Sequence, residues 1–285
     1  MKIRAVGQLL KDAGVKFWDD NGPRLGAALA YYTALSLSPL LLAAVGIIGL
    51  IYGQDAARGE IVGQIRGVVG QEAATVIEQL VAGTTGFGGT AAAFAFVVIL
   101  FGATGVFTEL QSALNAIWKV PGRKVEGGIV VMLRERLLSF LLVWATILLL
   151  LASLIVSSML SGLNARIVAW WPGMGMSIQV ANFALTFLII TVLFAMIFKW
   201  LPETRLAWSD VWAGAAFTAA LFSVGKYLIG LYLGTAAVGS AYGAAGAFVV
   251  LLVWIYYSTQ ILLLGAEVTF VYATKHGRSF AAPAK

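Results

Sequence analysis

Glu109, Glu267, Lys226 and Gln260 lie within, or at the edge of, stretches that are otherwise apolar. Ionisable and amide groups cost free energy away from water, so they face a bundle interior or a cavity and mark routes for ions, protons or polar solutes. Spacing links further residues to them. Tyr32 and Ser36 are four apart and Pro39 follows three later, which puts all three on one face of a helix. Tyr256, Gln260 and Glu267 form a second stripe at i, i+4 and i+11. Gln111 and Asn115 follow Glu109 at the same end of an earlier apolar segment. These residue types support hydrogen bonding to a passing solute and proton uptake by a carboxylate. The expectation is a polar path with Glu109 and Glu267 at its inner mouth and Lys226 at its outer mouth. A purely structural role is open to each residue as well. Tyr32, Ser36 and Tyr256 can hydrogen bond between helices, Glu109 and Glu267 can pair with Arg134, Arg136 or Lys275, and Lys226 can snorkel to the interface. Gln260 is hardest to explain that way, because an amide at mid-membrane needs partners.

Hydrolytic and redox chemistry is poorly supplied. The chain has one histidine, His276, and no cysteine. A histidine-based metal cluster, a Ser-His-Asp triad within the membrane, a thiolate nucleophile and a disulfide are all excluded within one chain. No Gly-x-x-x-x-Gly-Lys-Ser/Thr loop is present; a carboxylate-only Mg²⁺ site stays open, though the acids are scattered. The expectation is a protein that is not an enzyme and carries no cofactor and no metal.

The elements that must position these residues follow from where charge is missing. No charge occurs from Leu25 to Gln54, Gln79 to Thr108, Leu137 to Ala165, Ile167 to Phe198, Val211 to Gly225 or Tyr227 to Ala266. About 20 apolar residues at 1.5 Å each cross a hydrocarbon core about 30 Å thick. Composition agrees: 60% of the 285 residues are hydrophobic and 11% are charged. The fold class expected is an all-α integral membrane protein of six transmembrane helices, at about 25–51, 90–108, 137–162, 178–199, 209–232 and 244–272. Residues 1–24 hold an amphipathic interfacial helix with Val6, Leu10, Ala13 and Phe17 on one face, broken by Asn21-Gly22-Pro23. The outer loop 52–89 carries helical periodicity, and 273–285 is a tail. The first span is too long for a signal-peptide core and reads as a retained helix. The helix of span two continues past the membrane toward Pro121, through Phe107, Leu110, Leu114 and Ile117.

Of the 19 lysines and arginines, 15 fall on one set of alternate sides and 4 on the other. Positive charge stays inside during insertion, so both termini are expected in the cytoplasm. The net charge of +6 is thereby read as a topology signal, and no nucleic-acid partner is expected. Trp18, Trp118, Trp200, Trp208 and Trp212 fall near inner boundaries and Trp170 and Trp171 near an outer one, as an aromatic belt requires, while Trp144 and Trp254 read as packing. Glycine-rich faces on spans one and five are compatible with a homo-oligomer and equally with internal packing.

Three segments carry a family resemblance. They are Gly26-Ala-Ala-Leu-Ala-Tyr-Tyr-Thr-Ala-Leu-Ser-Leu-Ser-Pro39-Leu-Leu; Thr108-Glu-Leu-Gln-Ser-Ala-Leu-Asn115 with Ile117-Trp118; and Gly243-Ala-Ala-Gly246 leading through Trp254-Ile-Tyr-Tyr257 to Leu264-Gly-Ala-Glu267. In this order they resemble the YihY/virulence factor BrkB family over roughly residues 15–272. The resemblance implies a six-helix bacterial inner-membrane protein. It also brings an older label, ribonuclease BN, which the missing metal cluster and RNA-binding domain argue against. Tyr32, Ser36, Pro39, Glu109, Asn115, Gln260 and Glu267 match recurrent motif positions, and the family carries no agreed catalytic residues to transfer. The function expected is transport or export of a small solute or lipid-like molecule, without ATP hydrolysis of its own, among membrane lipids. The alternatives are an envelope scaffold acting through loop 52–89 and, less favoured, the tRNA-processing ribonuclease.

Overall fold

The computed structural model describes residues 3–36, 59, 105–120, 175–204, 206–235 and 246–276. Among these, all regular structure is helical. In chain order the helices are α1 (Ile3–Asp19), α2 (22–36), α3 (105–117), α4 (Gly175–Trp200), α5 (Trp208–Thr235) and α6 (Gly246–Lys275). Three of them contain segments long and apolar enough to cross a membrane: Phe183–Trp200, Trp208–Leu228 and Val249–Lys275. The expected third span, the outer loop apart from residue 59, Pro39, Trp144, Trp170, Trp171 and the end of the tail lie outside the described residues.

The centre of the bundle is the antiparallel pair α5 and α6. Gly214 and Thr218 on α5 face Thr269 and Gly265 on α6 reciprocally, each glycine receiving the other helix's threonine. A Cβ on Gly214 would also lie 2.8 Å from the Gly265 carbonyl oxygen, so the two backbones nearly touch. Small residues permit this approach where lipid offers no hydrophobic drive between helices. The threonine hydroxyls do not cross the interface. Thr218 donates to the Gly214 carbonyl at 2.7 Å and Thr269 to that of Gly265 at 2.9 Å. Thr191, Ser223, Ser258 and Thr274 also bond back one turn, which satisfies a hydroxyl inside an apolar helix.

α4 packs on the other side of α5 through rings. Phe194 meets Phe198 and Phe222, and Phe222 stands edge-on to Trp254 of α6 at 5.9 Å. Aromatic edges favour this geometry. At the far end of this helix pair Gly225 leaves room for the Tyr257 ring.

α1 differs from the expectation. Its inner edge is Leu9, Ala13 and Phe17, while Val6 and Leu10 are exposed. The reason is protein contact: α1 docks on the end of α6. The Lys16 ammonium sits 4.6 Å from the Phe270 ring centre, and Lys275 pairs with Asp12 at 2.7 Å. Val6, Leu10 and Trp18, the last 71% exposed, lie on the helix's free surface. The break after α1 is sharp. Asn21 takes a left-handed backbone, φ 57°, which asparagine tolerates. Its carbonyl then accepts from the amides of Arg24 and Leu25 at 3.0 and 3.1 Å, which starts α2. Gly22 leaves no space for a Cβ beside the Phe17 ring.

The contrast among glycines gives a direct test. Gly214→Ala forces α5 and α6 apart and is expected to destabilise the protein by about 1–3 kcal/mol. Gly14→Ala meets nothing within 4 Å and is expected to gain about 0.5–1 kcal/mol from helix propensity. Unfolding of both variants in detergent, compared with wild type, checks the opposite signs.

Candidate functional site

Several helix ends and connections meet where α1 turns into α2. Trp118 and Lys119 end α3 there, residues 201–204 and 206–207 lie between α4 and α5, and α6 brings Glu267. α3 ends in a glycine-type cap without glycine: Lys119 is left-handed at φ 52°, its amide bonds the Ala116 carbonyl at 3.2 Å, and the Val120 amide bonds that of Asn115 at 2.9 Å. This places the Lys119 ammonium on the Asp20 carboxylate. Asn115 has a second role, since its side-chain oxygen accepts from the Glu203 amide at 2.9 Å and ties the α4–α5 connection to α3. The Lys199 ammonium donates to the Leu206 carbonyl in the same connection.

Glu267 lies behind the Asp20–Lys119 pair. It is 0% exposed, and neither carboxylate oxygen reaches a hydrogen-bond donor among the described residues. The Asp20 carboxyl and the ammonium groups of Lys16 and Lys119 are near enough to act on its charge. One Asp20 oxygen holds Lys119, and the other is buried without a donor. Beside this group Trp118 is fully buried, edge-on to Phe198, and its indole N–H reaches no acceptor among the described residues.

The expected path residues fall into three groups. Gln260 is about 10 Å along α6 from Glu267, seven residues at 1.5 Å each. Its amide packs directly on Gly26 and donates weakly to the Pro23 carbonyl at 3.5 Å, leaving its oxygen buried without a donor. The neighbouring Thr259 hydroxyl reaches the Gly26 carbonyl at 3.2 Å, so α2 crosses α6 at this level. Glu109 is ten residues before Lys119, about 15 Å along α3. It is half-buried, as is Gln111. The shared mouth expected for Glu109 and Glu267 therefore separates into two levels. Ser36 is buried. Tyr32 and Tyr256 are exposed, Tyr32 beside Gly105 of α3, where a Cβ would sit 3.7 Å from its ring. Lys226 is half-buried with its ammonium 5.6 Å from the Tyr227 ring centre.

Sequence reasoning did not single out Asp20, Lys16 or Lys119. They read there as interfacial charges, and only the left-handed turns at Asn21 and Lys119 bring Asp20 and Lys119 together. Lys275, a candidate partner for Glu267, is committed to Asp12. Trp118, expected in the aromatic belt, is a core residue; Trp200, Trp208 and Trp212 are exposed together at this end and Trp254 is packed inside.

The family model for virulence factor BrkB matches residues 13–285. The chain belongs to that family. A UPF0761 membrane protein of Ralstonia nicotianae is 31% identical over 94% of this chain and 58% of its own length. Another, from Rhodospirillum centenum, is 30% identical over 93% and 57%, and one from Verminephrobacter eiseniae is 28% identical over 93% and 61%. The chain thus spans less than two thirds of these relatives. No solved structure matches. With three helices able to cross a membrane, this BrkB-family chain is a membrane protein.

The tie between α3 and the α4–α5 connection can be tested alone. Asn115→Ala is expected to cost about 1 kcal/mol, the net worth of one hydrogen bond, and to speed hydrogen exchange at the Glu203 amide. An unchanged exchange rate there would show that Asn115 does not hold the connection.

Proposed function

We propose that this protein is a transporter or exporter of a small solute or lipid-like molecule in the bacterial inner membrane, with six spans, both termini in the cytoplasm and no ATP hydrolysis of its own. The observation that carries the reading is Glu267: a fully buried carboxyl with no donor, on a helix long and apolar enough to cross a membrane. A structural acid in such a place would be expected to hold a donor or a dedicated counter-ion. An acid left without one suits a group that exchanges partners during a cycle. Gln260 supports the same reading, because its oxygen is also buried without a donor, one level along the same helix. Glu109, half-buried on α3, and Lys226, half-buried on α5, extend the path from Glu267 in the direction of Gln260.

The reading includes no catalytic step, metal or nucleic-acid partner. Its surroundings are membrane lipids, and a second copy of the chain is compatible with it. Orientation rests on the excess of lysine and arginine on one set of sides, the set that includes α1 and its neighbouring helix ends.

Native mass spectrometry of the gently extracted protein tests the proposal. The expected result is a lipid or polar solute retained at fixed stoichiometry by wild type and lost from Gln260→Leu and Glu267→Gln. Protein that carries only bulk-like lipid, indifferent to both substitutions, would overturn it.

A further inference from the structure

We propose that the neighbouring ends of α4 and α5 hold the headgroup of an anionic phospholipid, with the Lys199 ammonium on its phosphate and the indoles of Trp200, Trp208 and Trp212 as walls. The inference goes beyond the transport reading: this lipid is resident at the rim of the bundle and is not its cargo.

The level of the site comes from the apolar segments. One ends at Trp200 and the next begins at Trp208, so these rings stand where hydrocarbon gives way to headgroups. All three indoles are exposed, and rings exposed at this level meet lipid. An indole suits the place, with an apolar body and one N–H to donate. The rings are clustered, not scattered. Trp200 stands perpendicular to Trp208 at 5.8 Å, and Trp212, one turn further along α5, is 6.5 Å from Trp208.

What separates this cluster from a plain aromatic belt is a fixed cation without a counter-charge. Lys199 is half-buried. Its ammonium donates to the Leu206 carbonyl and sits 5.9 Å from the Trp208 ring centre. A lysine with no such holds would extend its stem toward water; here the carbonyl and the ring keep the charge beside the indoles. An ammonium has three N–H donors, and Leu206 takes one. Among the described residues Lys199 forms no ion pair, although Glu203 and Asp210 are near in sequence. Asp210 instead accepts from the Ser209 hydroxyl at 3.3 Å.

A charge taken partly out of water is normally paired, and the anion found at this depth is a phospholipid phosphate. Basic groups at the ends of transmembrane helices recruit anionic headgroups in this way. A phosphate oxygen can take the two remaining N–H donors of Lys199 in charge-assisted hydrogen bonds, while the indoles cover the apolar region just below. The net charge of the lipid then matters. Choline and ethanolamine headgroups bring a cation of their own that competes with Lys199 for the phosphate. A glycerol headgroup brings none, so phosphatidylglycerol is the kind of lipid this arrangement prefers.

Native mass spectrometry of the whole chain, delipidated in detergent and titrated with phosphatidylglycerol or phosphatidylcholine of the same acyl chains, tests this. Wild type is expected to take up one phosphatidylglycerol roughly fivefold more tightly than phosphatidylcholine, equivalent to about 1 kcal/mol. Lys199→Gln is expected to remove the preference and Lys199→Arg to keep it. Trp208→Leu should weaken uptake of both lipids, and Lys226→Gln, at the other end of α5, should change neither. Should Lys199→Gln fail to fold, Trp208→Leu and competition by inorganic phosphate carry the test, since free phosphate lacks the chains that the rings cover and is expected not to displace the lipid. Equal uptake of the two lipids by wild type, a preference that survives Lys199→Gln, or displacement by phosphate would overturn the site. A lipid lost from Gln260→Leu and Glu267→Gln but kept by Lys199→Gln would do so too, while supporting the transport reading. A lipid lost from Lys199→Gln and indifferent to the other two establishes this site even if the transport reading fails.

Discussion

The reciprocal seating of Gly214 against Thr269 and Gly265 against Thr218 sets how closely α5 and α6 approach, and much else at this end of the bundle follows from that distance. It holds α6 against α5 along a stretch that begins two residues before Glu267. It also brings Phe198 of α4 within reach of Gly265, where a Cβ would lie 3.3 Å from the ring, so that Trp118 of α3 finds its edge-on partner. A larger residue at either glycine would move Glu267 relative to α1 as well as separate the pair.

The second constraint is electrical. Four charged groups, Asp20, Glu267, Lys16 and Lys119, occupy one end of the bundle. They come from three separate parts of the chain, which is why the cluster couples α1, α3 and α6. An ion pair that was mainly structural would leave the acid on α6 bonded. Here the surface-side acid, Asp20, takes the ammonium and the inner one, Glu267, does not.

The backbone makes this possible through two residues that depart from helical geometry. Asn21 and Lys119 are both left-handed, and each reverses or ends a helix within a single residue. Lysine lacks the side-chain chemistry that helps asparagine tolerate this conformation. Its place there follows from the ion pair with Asp20, which glycine could not form.

What the sequence determined by itself was the material and the ends of the helices. Charged residues are costly in hydrocarbon, so the sparse charges outline the apolar segments, and α4, α5 and α6 lie close to the spans expected at 178–199, 209–232 and 244–272. The periodic motif from Phe107 to Ile117 likewise announced that a helix continues there. Gln260 and Glu267 were visible because polar groups in such runs are rare. What only the tertiary structure decided was which helices share a level. Helical periodicity gives a residue's face and its height on its own axis, and says nothing of how far one axis slides along another. That sliding, set by Gly26 on Gln260 and by the cap at Lys119, put Lys119 rather than Glu109 beside Asp20, turned Trp118 inward and rotated α1 onto Leu9 and Ala13.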